Sequence, residues 1–357
     1  MRLALMLEQN SRIQSVLVTG GGGYVGSALV PKLLRKGYRV TVLDLFLYGE
    51  HGLDDVRNNP HLRIVRGDIR DTVLLRSVFK DIHAVIHLAC ISNDPSFDLD
   101  PSLGKSINFD AFRPLVLSAK ESGVRRFIYA STSSVYGVQE RGEITEDAPL
   151  IPLTDYNKYK GLTEPILLAE KSDSFVPVII RPATVCGYSP RMRLDLTVNI
   201  LTNHAVNVGK ITIFGGAQKR PNIHIDDMTD LYVRLLELPE GKIVGQVYNA
   251  GAENATISAI AERVRVVVGR EVPGRTHVEI DAAPTEDRRS YHVSSEKIRR
   301  ELGFVPKKTI EDAVEDLCRA FLAGRIPNGL EDDRYYNLRV MKKLLVSPVV
   351  QGTTSLQ

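Results

Sequence analysis

A doubly wound parallel α/β sheet carrying a smaller mixed α/β substrate-binding lobe is the fold this sequence predicts, and three observations carry the prediction. Short β-branched runs alternate with helix-patterned segments through the first half; the first run passes through clustered glycines into a helix; the second run ends in a carboxylate. Such alternation calls for parallel strands whose crossover helices cover both faces of one sheet. Strands are expected at 15–19, 39–44, 62–66, 83–88, 126–131 and 176–181, with helices at 26–36, 72–80, 105–122 and 156–172 between them.

Beyond Pro182 the rhythm degrades. A helix is expected at 195–208, short strands at Ile211–Phe214 and Asn222–Ile225, a helix from Asp226, and helices near 256–269 and 309–323. This divides the chain into a sheet domain of 14–181 with interleaved segments near 211–250, a discontinuous second lobe of 182–324, and a C-terminal extension of 325–357 that the pattern leaves unassigned.

Composition narrows the function classes. With 46 Lys+Arg against 43 Asp+Glu the charges nearly cancel, so nothing points to a nucleic-acid or anionic-membrane partner. Cys90, Cys186 and Cys318 are odd in number and far apart, which implies neither a disulfide framework nor a metal site. The apolar run at Met1–Leu7 is too short for a signal peptide, and no stretch is long enough to span a bilayer, so a cytoplasmic, reducing location is expected.

The first strand and helix are joined by Thr19-Gly20-Gly21-Gly22-Gly23-Tyr24-Val25-Gly26. A strand that turns through glycines into a helix aims backbone N–H groups and the positive helix end at one spot, which suits a pyrophosphate. Gly20 permits the tight turn, Gly23 lets the backbone approach the phosphates, and Gly26 lets the helix lie close to the sheet. The next strand ends at Asp44, 24 residues after Gly20, where a carboxylate accepts bonds from the adenosine ribose and repels a 2′-phosphate. The expected cofactor is therefore NAD, on a Rossmann-type sheet. Asp68, after the third strand, is placed to accept a bond from the adenine amino group, and His87-Leu88-Ala89 closes the fourth strand at the ligand-binding edge.

The strongest chemical signal is Ser131-Thr132-Ser133-Ser134-Val135-Tyr136-Gly137 at the fifth strand end, followed by Tyr156 and Lys160. Four residues apart on a helix, these two share one face, so the ammonium is expected near the phenol. A neighbouring cation stabilises phenolate, which would make Tyr156 a general base near neutrality. Thr132 is placed to hold the substrate oxygen against it. No metal ligand set is recognisable.

These motifs, together with Arg181-Pro-Ala-Thr-Val-Cys-Gly187 and His224-Ile-Asp-Asp227, resemble the extended short-chain dehydrogenase/reductases of the nucleotide-sugar epimerase/dehydratase family from about Ser15 to about Gly324. The resemblance implies that Tyr156 is the base, that Lys160 binds the nicotinamide ribose and tunes it, and that Thr132 orients the sugar. It further implies that Tyr24, Val25, Ile69, Leu88, Ala89, Asn108 and Ser131 line the cofactor channel. Ser92, Asn93, Ser133 and Ser134 are expected around the sugar, and Asn199, Arg220 and Arg288 or Arg289 at the nucleoside diphosphate.

Within that resemblance, dehydratases carry an Asp-Glu pair where this chain has Ser133 and Ser134, and the related synthases place Cys at Ser134 and consume NADPH, which Asp44 opposes. Removal of the sugar O4 proton with hydride transfer to NAD, followed by return of the hydride to the other face, is thus the expected reaction: 4-epimerisation. A 4,6-dehydratase or 4-keto reductase is the alternative within the family, and a non-catalytic NAD-binding sensor the alternative outside catalysis. A homodimer through helices 105–122 and 156–172 is also implied. Pro165 is expected to disturb the helix of Tyr156 by removing the bond to the Gly161 carbonyl.

Overall fold

The computed structural model describes residues 13–138, 142–285 and 290–346. The strands in chain order are β1 (Ser15–Thr19), β2 (Arg39–Asp44), β3 (Leu62–Arg66), β4 (Ala84–His87), β5 (Arg126–Ala130), β6 (Val176–Pro182), β7 (Thr184–Cys186), β8 (Lys210–Phe214), β9 (Lys219–His224), β10 (Gln246–Ala250), β11 (Glu253–Thr256) and β12 (Glu279–Ala283). Seven of them form one parallel sheet in the order β10-β6-β5-β4-β1-β2-β3. Every residue of β1 and β4 is buried, because helices cover both faces. The order reverses between β1 and β4, and the crevice beyond their carboxyl ends is where ligands of such sheets bind.

The longer helices are α1 (Tyr24–Arg35), α2 (Thr72–Val78), α3 (Phe112–Glu121), α4 (Asp155–Ala169), α5 (Thr197–Asn207), α6 (Ile225–Glu237), α7 (Ile257–Glu271), α8 (Glu296–Leu302), α9 (Ile310–Leu322) and α10 (Asn337–Val346). Leu29 and Leu33 of α1, Leu231 and Leu235 of α6 and Ile298 of α8 pack on one sheet face with Val16, Val18 and Val42. Leu75 of α2, Phe112 and Leu115 of α3 and Leu167 of α4 cover the other with Leu17, Leu43 and Val85. A separate core of α5, α7 and α9 against β8 defines the second lobe, and β7, β9 and β11 form a small mixed sheet beside it. Among the described residues no helix is long and apolar enough to cross a membrane.

Three local departures from expectation have physical causes. The helix expected over 105–122 is broken: Pro101–Lys105 is a short turn, Ser106–Asp110 winds as a π-helix, and α3 starts at Phe112. The widened turn aims the Asn108 amide at Ile91, accepting from its N–H at 2.8 Å and donating to its carbonyl at 2.9 Å. The strand expected at 222–225 spans Lys219–His224 instead, because His224 caps α6 by accepting the Asp226 N–H at 3.0 Å on Nδ1. Finally, α4 continues through Pro165 to Ala169 without ending. The short β10 escaped the sequence pattern, yet it completes the large sheet, pairing with β6.

Candidate active site

The glycine turn builds the floor of a cleft. Gly20 leaves β1 at φ 75°, its N–H bonded to the Leu43 carbonyl at 2.9 Å. A Cβ there would lie 2.6 Å from the Ala89 nitrogen, and one on Gly26 would lie 2.4 Å from the Gly20 carbonyl oxygen, both immovable backbone. Gly23 sits at the helix N-cap with no side chain over the first-turn N–H groups. Asp44 reaches across: its carboxylate accepts the Gly22 N–H at 2.9 Å and the Phe46 N–H at 2.7 Å. Burial raises its pKa, while those bonds and the charge of Arg191 act against the rise.

The cleft holds roughly 1130 Å³ of empty space, part of it open to solvent. Gly20, Gly23, Tyr24, Val25 and Asp44 line one end, with Ile69, Leu88 and Ala89 along the switch point. Ser131, Tyr156 and Lys160 line the other end. Two expected cofactor residues are not among the lining residues. Asp68 is occupied by the Arg70 side chain, which donates from Nη2 at 2.6 Å, and Asn108 pins the loop after β4 as described above.

At the chemical end, Thr154 caps α4 by accepting the Asn157 N–H, which sets the rotation that turns Tyr156 and Lys160 to the cleft. Lys160 does not rest on the Tyr156 phenol. Its ammonium donates to the Ala130 carbonyl and lies 4.4 Å from the centre of the Tyr129 ring. Although burial works against its charge, Tyr129, Cys90 and Glu164 hold Lys160 above its ordinary pKa. Tyr156 is pushed well above the usual phenol value, first by burial and then by Cys90, Asp94 and Tyr129, and the cation acting downward on it is Arg193. The expected contact between ammonium and phenol is therefore not formed: the packing of α4 against β5 places the ammonium beside Tyr129, and burial is the largest influence on the Tyr156 phenol. Thr132 caps the next turn, its Oγ1 accepting the Ser134 N–H at 3.1 Å, which leaves its own proton to donate.

A profile of the NAD dependent epimerase/dehydratase family matches residues 16–251. The chain belongs to that family. It is 29% identical to a UDP-glucose 4-epimerase of Lactobacillus helveticus over 89% of this chain and 99% of that one. It is 32% identical to a dTDP-glucose 4,6-dehydratase of Streptomyces griseus, covering 84% and 91%. Among solved structures, a UDP-glucuronic acid 4-epimerase from Bacillus cereus, in complex with UDP-glucuronic acid and NAD, superposes with a TM-score of 0.77 at 27% identity over 87% of this chain and 99% of that one.

The cleft residues of this family member fit the family's cofactor: no Cβ intrudes on the glycine turn, and three residues of the wall carry buried polar atoms without a partner. Among the described residues the Arg191 Nε, the Arg193 Nη2 and the Tyr48 hydroxyl have no hydrogen-bond partner. Sequence reasoning missed all three, although Arg191-Met192-Arg193, a pair of arginines in the link between β7 and α5, was the available signal for two of them. Arg193 is held from Nε by Asp195 at 2.9 Å and from Nη1 by Ser92 at 3.3 Å. Asn337, at the start of α10, donates to Ser92 Oγ at 2.9 Å and accepts from Arg191 Nη2 at 2.5 Å.

The remaining expected substrate residues are scattered. Ser92 lines the cleft, while Asn93 caps a neighbouring turn by accepting the Ser96 N–H. Ser133 is buried, and the Ser134 hydroxyl lies 3.2 Å from that of Tyr291, over whose ring the Arg220 guanidinium sits at 5.7 Å. Asn199 is fully buried behind the wall, accepting the Gly187 N–H and donating to the Tyr24 hydroxyl and the Arg193 carbonyl. It ties the second lobe to α1. Arg288 and Arg289 lie outside the described residues. Elsewhere, His224, Asp226 and Asp316 bring three ligand-type groups together, but the imidazole Nδ1 already accepts a backbone N–H and Nε2 faces the Asp316 carboxylate at 3.2 Å.

A buried network ties α4 to the ends of β5 and β6. Glu164 of α4 accepts from Ser131 at 2.5 Å and from Arg181 Nε and Nη2 at 3.0 and 2.6 Å. Arg181 also donates to the Tyr136 hydroxyl at 2.6 Å, and that hydroxyl donates to Asn249 at 2.7 Å.

Proposed function

We propose that this enzyme is an NAD-dependent nucleotide-sugar 4-epimerase in which Tyr156 is the base, Thr132 orients the sugar and Lys160 serves the nicotinamide ribose and the Tyr156 charge. When bound, NAD supplies the hydride acceptor and donor for the sugar C4. Gly20, Gly23 and Asp44 would hold its adenosine diphosphate half. Tyr156 takes the O4 proton from one sugar face and returns it after the ring has turned, so the same phenol must serve both directions. Its raised pKa keeps it protonated before the ligands enter, and the side chain of this chain that favours phenolate is Arg193. Thr132 donates its free proton to the sugar oxygen.

The observation that carries 4-epimerisation over dehydration is the residue type beside Thr132. Ser133 and Ser134 occupy the next two positions, and among the described residues lining the cleft the one carboxylate is Asp44, at the adenosine end. Hydroxyls are poor acids for expelling the 6-hydroxyl. Incubation with UDP-, dTDP-, GDP- and CDP-sugars, followed by NMR, tests this: mixing of 4-epimers without added NAD is expected, and a stable 4-keto-6-deoxy product overturns it in favour of the dehydratase. Tyr156→Phe is expected to keep NAD while turnover drops by at least about a hundredfold; unchanged turnover would leave an NAD-binding sensor.

We also read the protein as a cytoplasmic homodimer. Three free thiols agree with a reducing location. Leu117 on α3 and Leu162 and Ile166 on α4 remain partly or fully exposed and form a candidate apolar pairing face. A monomer at micromolar concentration by light scattering would remove the dimer.

A further inference from the structure

We propose that Arg191, aimed by Asn337 of the C-terminal segment, clamps the pyrophosphate of the dinucleotide, which makes the start of α10 a wall of the cofactor site. The proposal rests on the functional reading above only in placing a dinucleotide in the glycine-lined cleft.

Position comes first. The link that carries Arg191 is bolted onto the first turn of α1. The Arg191 N–H donates to Ser27 Oγ at 3.0 Å, and the Ser189 hydroxyl donates to the Tyr24 carbonyl at 2.6 Å. That turn is where the free N–H groups and the positive end of the helix converge on a phosphate site. Arg191 therefore adds a full charge to the partial charge of the helix, from the opposite lobe, and it lines the same cleft as Gly20, Gly23 and Asp44.

Charge comes second. Arg191 is only 1% exposed, yet among the described residues no carboxylate forms an ion pair with it. Its Nη2 bonds a neutral amide, its flat face lies 4.4 Å from the centre of the Tyr48 ring, and its Nε bonds nothing. Burial, followed by the neighbouring Arg193, lowers its pKa to about 10. Asp195 and Asp44 act on it only from a distance; a buried guanidinium without a contacting anion is costly, and a pyrophosphate carries two negative charges in a geometry the guanidinium fork can bind.

Asn337 explains how that cost is held in place. The residue is 1% exposed and makes three bonds: it accepts from Arg191, donates to Ser92, and gives its backbone N–H to Asp195 at 3.1 Å. An amide fixes the guanidinium direction without neutralising it, whereas a carboxylate at the same place would compete with the ligand. The segment around it is stitched to the second lobe by the Leu194 N–H on the Tyr335 carbonyl and by Asn203 on the Tyr336 hydroxyl.

The test uses the full chain freed of nucleotide, with titration calorimetry for ADP-ribose and for UDP, and melting curves without ligand. Arg191→Met is expected to weaken ADP-ribose at least about tenfold and change UDP less than about twofold. Asn337→Asp is expected to weaken ADP-ribose by a comparable factor while leaving ligand-free melting level or raising it, since it supplies the missing countercharge. If Arg191→Met lowers UDP binding and spares ADP-ribose, the arginine serves the substrate diphosphate and the proposal is overturned. If both variants bind ADP-ribose as the unmodified chain does, Arg191 is structural and the proposal is overturned, while the functional reading stands. If the unmodified chain binds no ADP-ribose, the functional reading itself fails and takes the clamp with it.

Discussion

Two buried arginine sites, Arg181 and Arg191, differ in one respect, whether the protein completes them. Arg181 of β6 meets Glu164 in a bidentate pair and also reaches the Tyr136 hydroxyl, so burial, which works against its charge, is outweighed and its pKa rises. Arg191 meets only an amide and a ring face, and its pKa falls to about 10. The two side chains are about equally hidden from solvent. What separates them is that the first belongs to the interior of the fold and the second to the wall of a ligand site. A protein that leaves a buried cation incomplete on a cleft has kept that charge for something that enters.

The widest separation between the two sites is expected on breaking Glu164. Glu164→Gln leaves Arg181 buried without its carboxylate and is expected to cost about 3–5 kcal/mol of stability, read from denaturant or thermal unfolding. A loss no larger than that of Arg191→Met in the absence of ligand would dissolve the contrast. Gly26→Ala tests the cleft floor: its Cβ would press on the Gly20 carbonyl oxygen at 2.4 Å and the Gly21 Cα at 2.5 Å. A cost of about 1–3 kcal/mol is expected, together with weakened ADP-ribose binding, and wild-type affinity would show that the turn yields.

The smallest effect concerns His87, a satisfied interior group. It is buried, its Nδ1 lies 2.7 Å from Thr19 Oγ1, and burial, then the charge of Lys160, lowers its pKa from 6.5 to about 3. Between those values the unfolded chain binds a proton that the folded chain does not. Stability is therefore complete above pH 6.5 and declines as the pH falls toward 3. The decline attributable to this group is about 1.4 kcal/mol between pH 8 and pH 5.5. His87→Gln should flatten that limb of the melting-temperature profile, whatever its effect on the absolute value. An identical slope in both proteins would transfer the acid sensitivity to other groups.

The cofactor half of the molecule was legible in the sequence because its signals are local. A strand, glycines and a helix in succession fix where N–H groups point, and the carboxylate closing β2 follows by simple spacing. Tyr156 and Lys160 were legible for the same reason, since helical periodicity puts them on one face. Their contact was not. Whether the ammonium meets Tyr156 or Tyr129 depends on how α4 sits against β5, and whether the phenol rises or falls in pKa depends on burial that no spacing reports. The resemblance implied ligand contacts for Asn199 and Asn108, and in the structure both side chains bond inward, to Gly187, Tyr24 and Arg193 and to Ile91.

The seventh strand, the link with Arg191 and Arg193, and the return of the C-terminal segment to the cleft depend on contacts between residues far apart in the chain. Asn337 bonds Ser92 across 245 positions and Arg191 across 146. From the sequence alone came the doubly wound sheet, the NAD site and the Tyr156–Lys160 pair, because backbone geometry and helical period act over a few residues. Only the tertiary structure decided which buried charges are completed within the protein and which are left for a ligand, because desolvation and pairing are properties of the assembled interior.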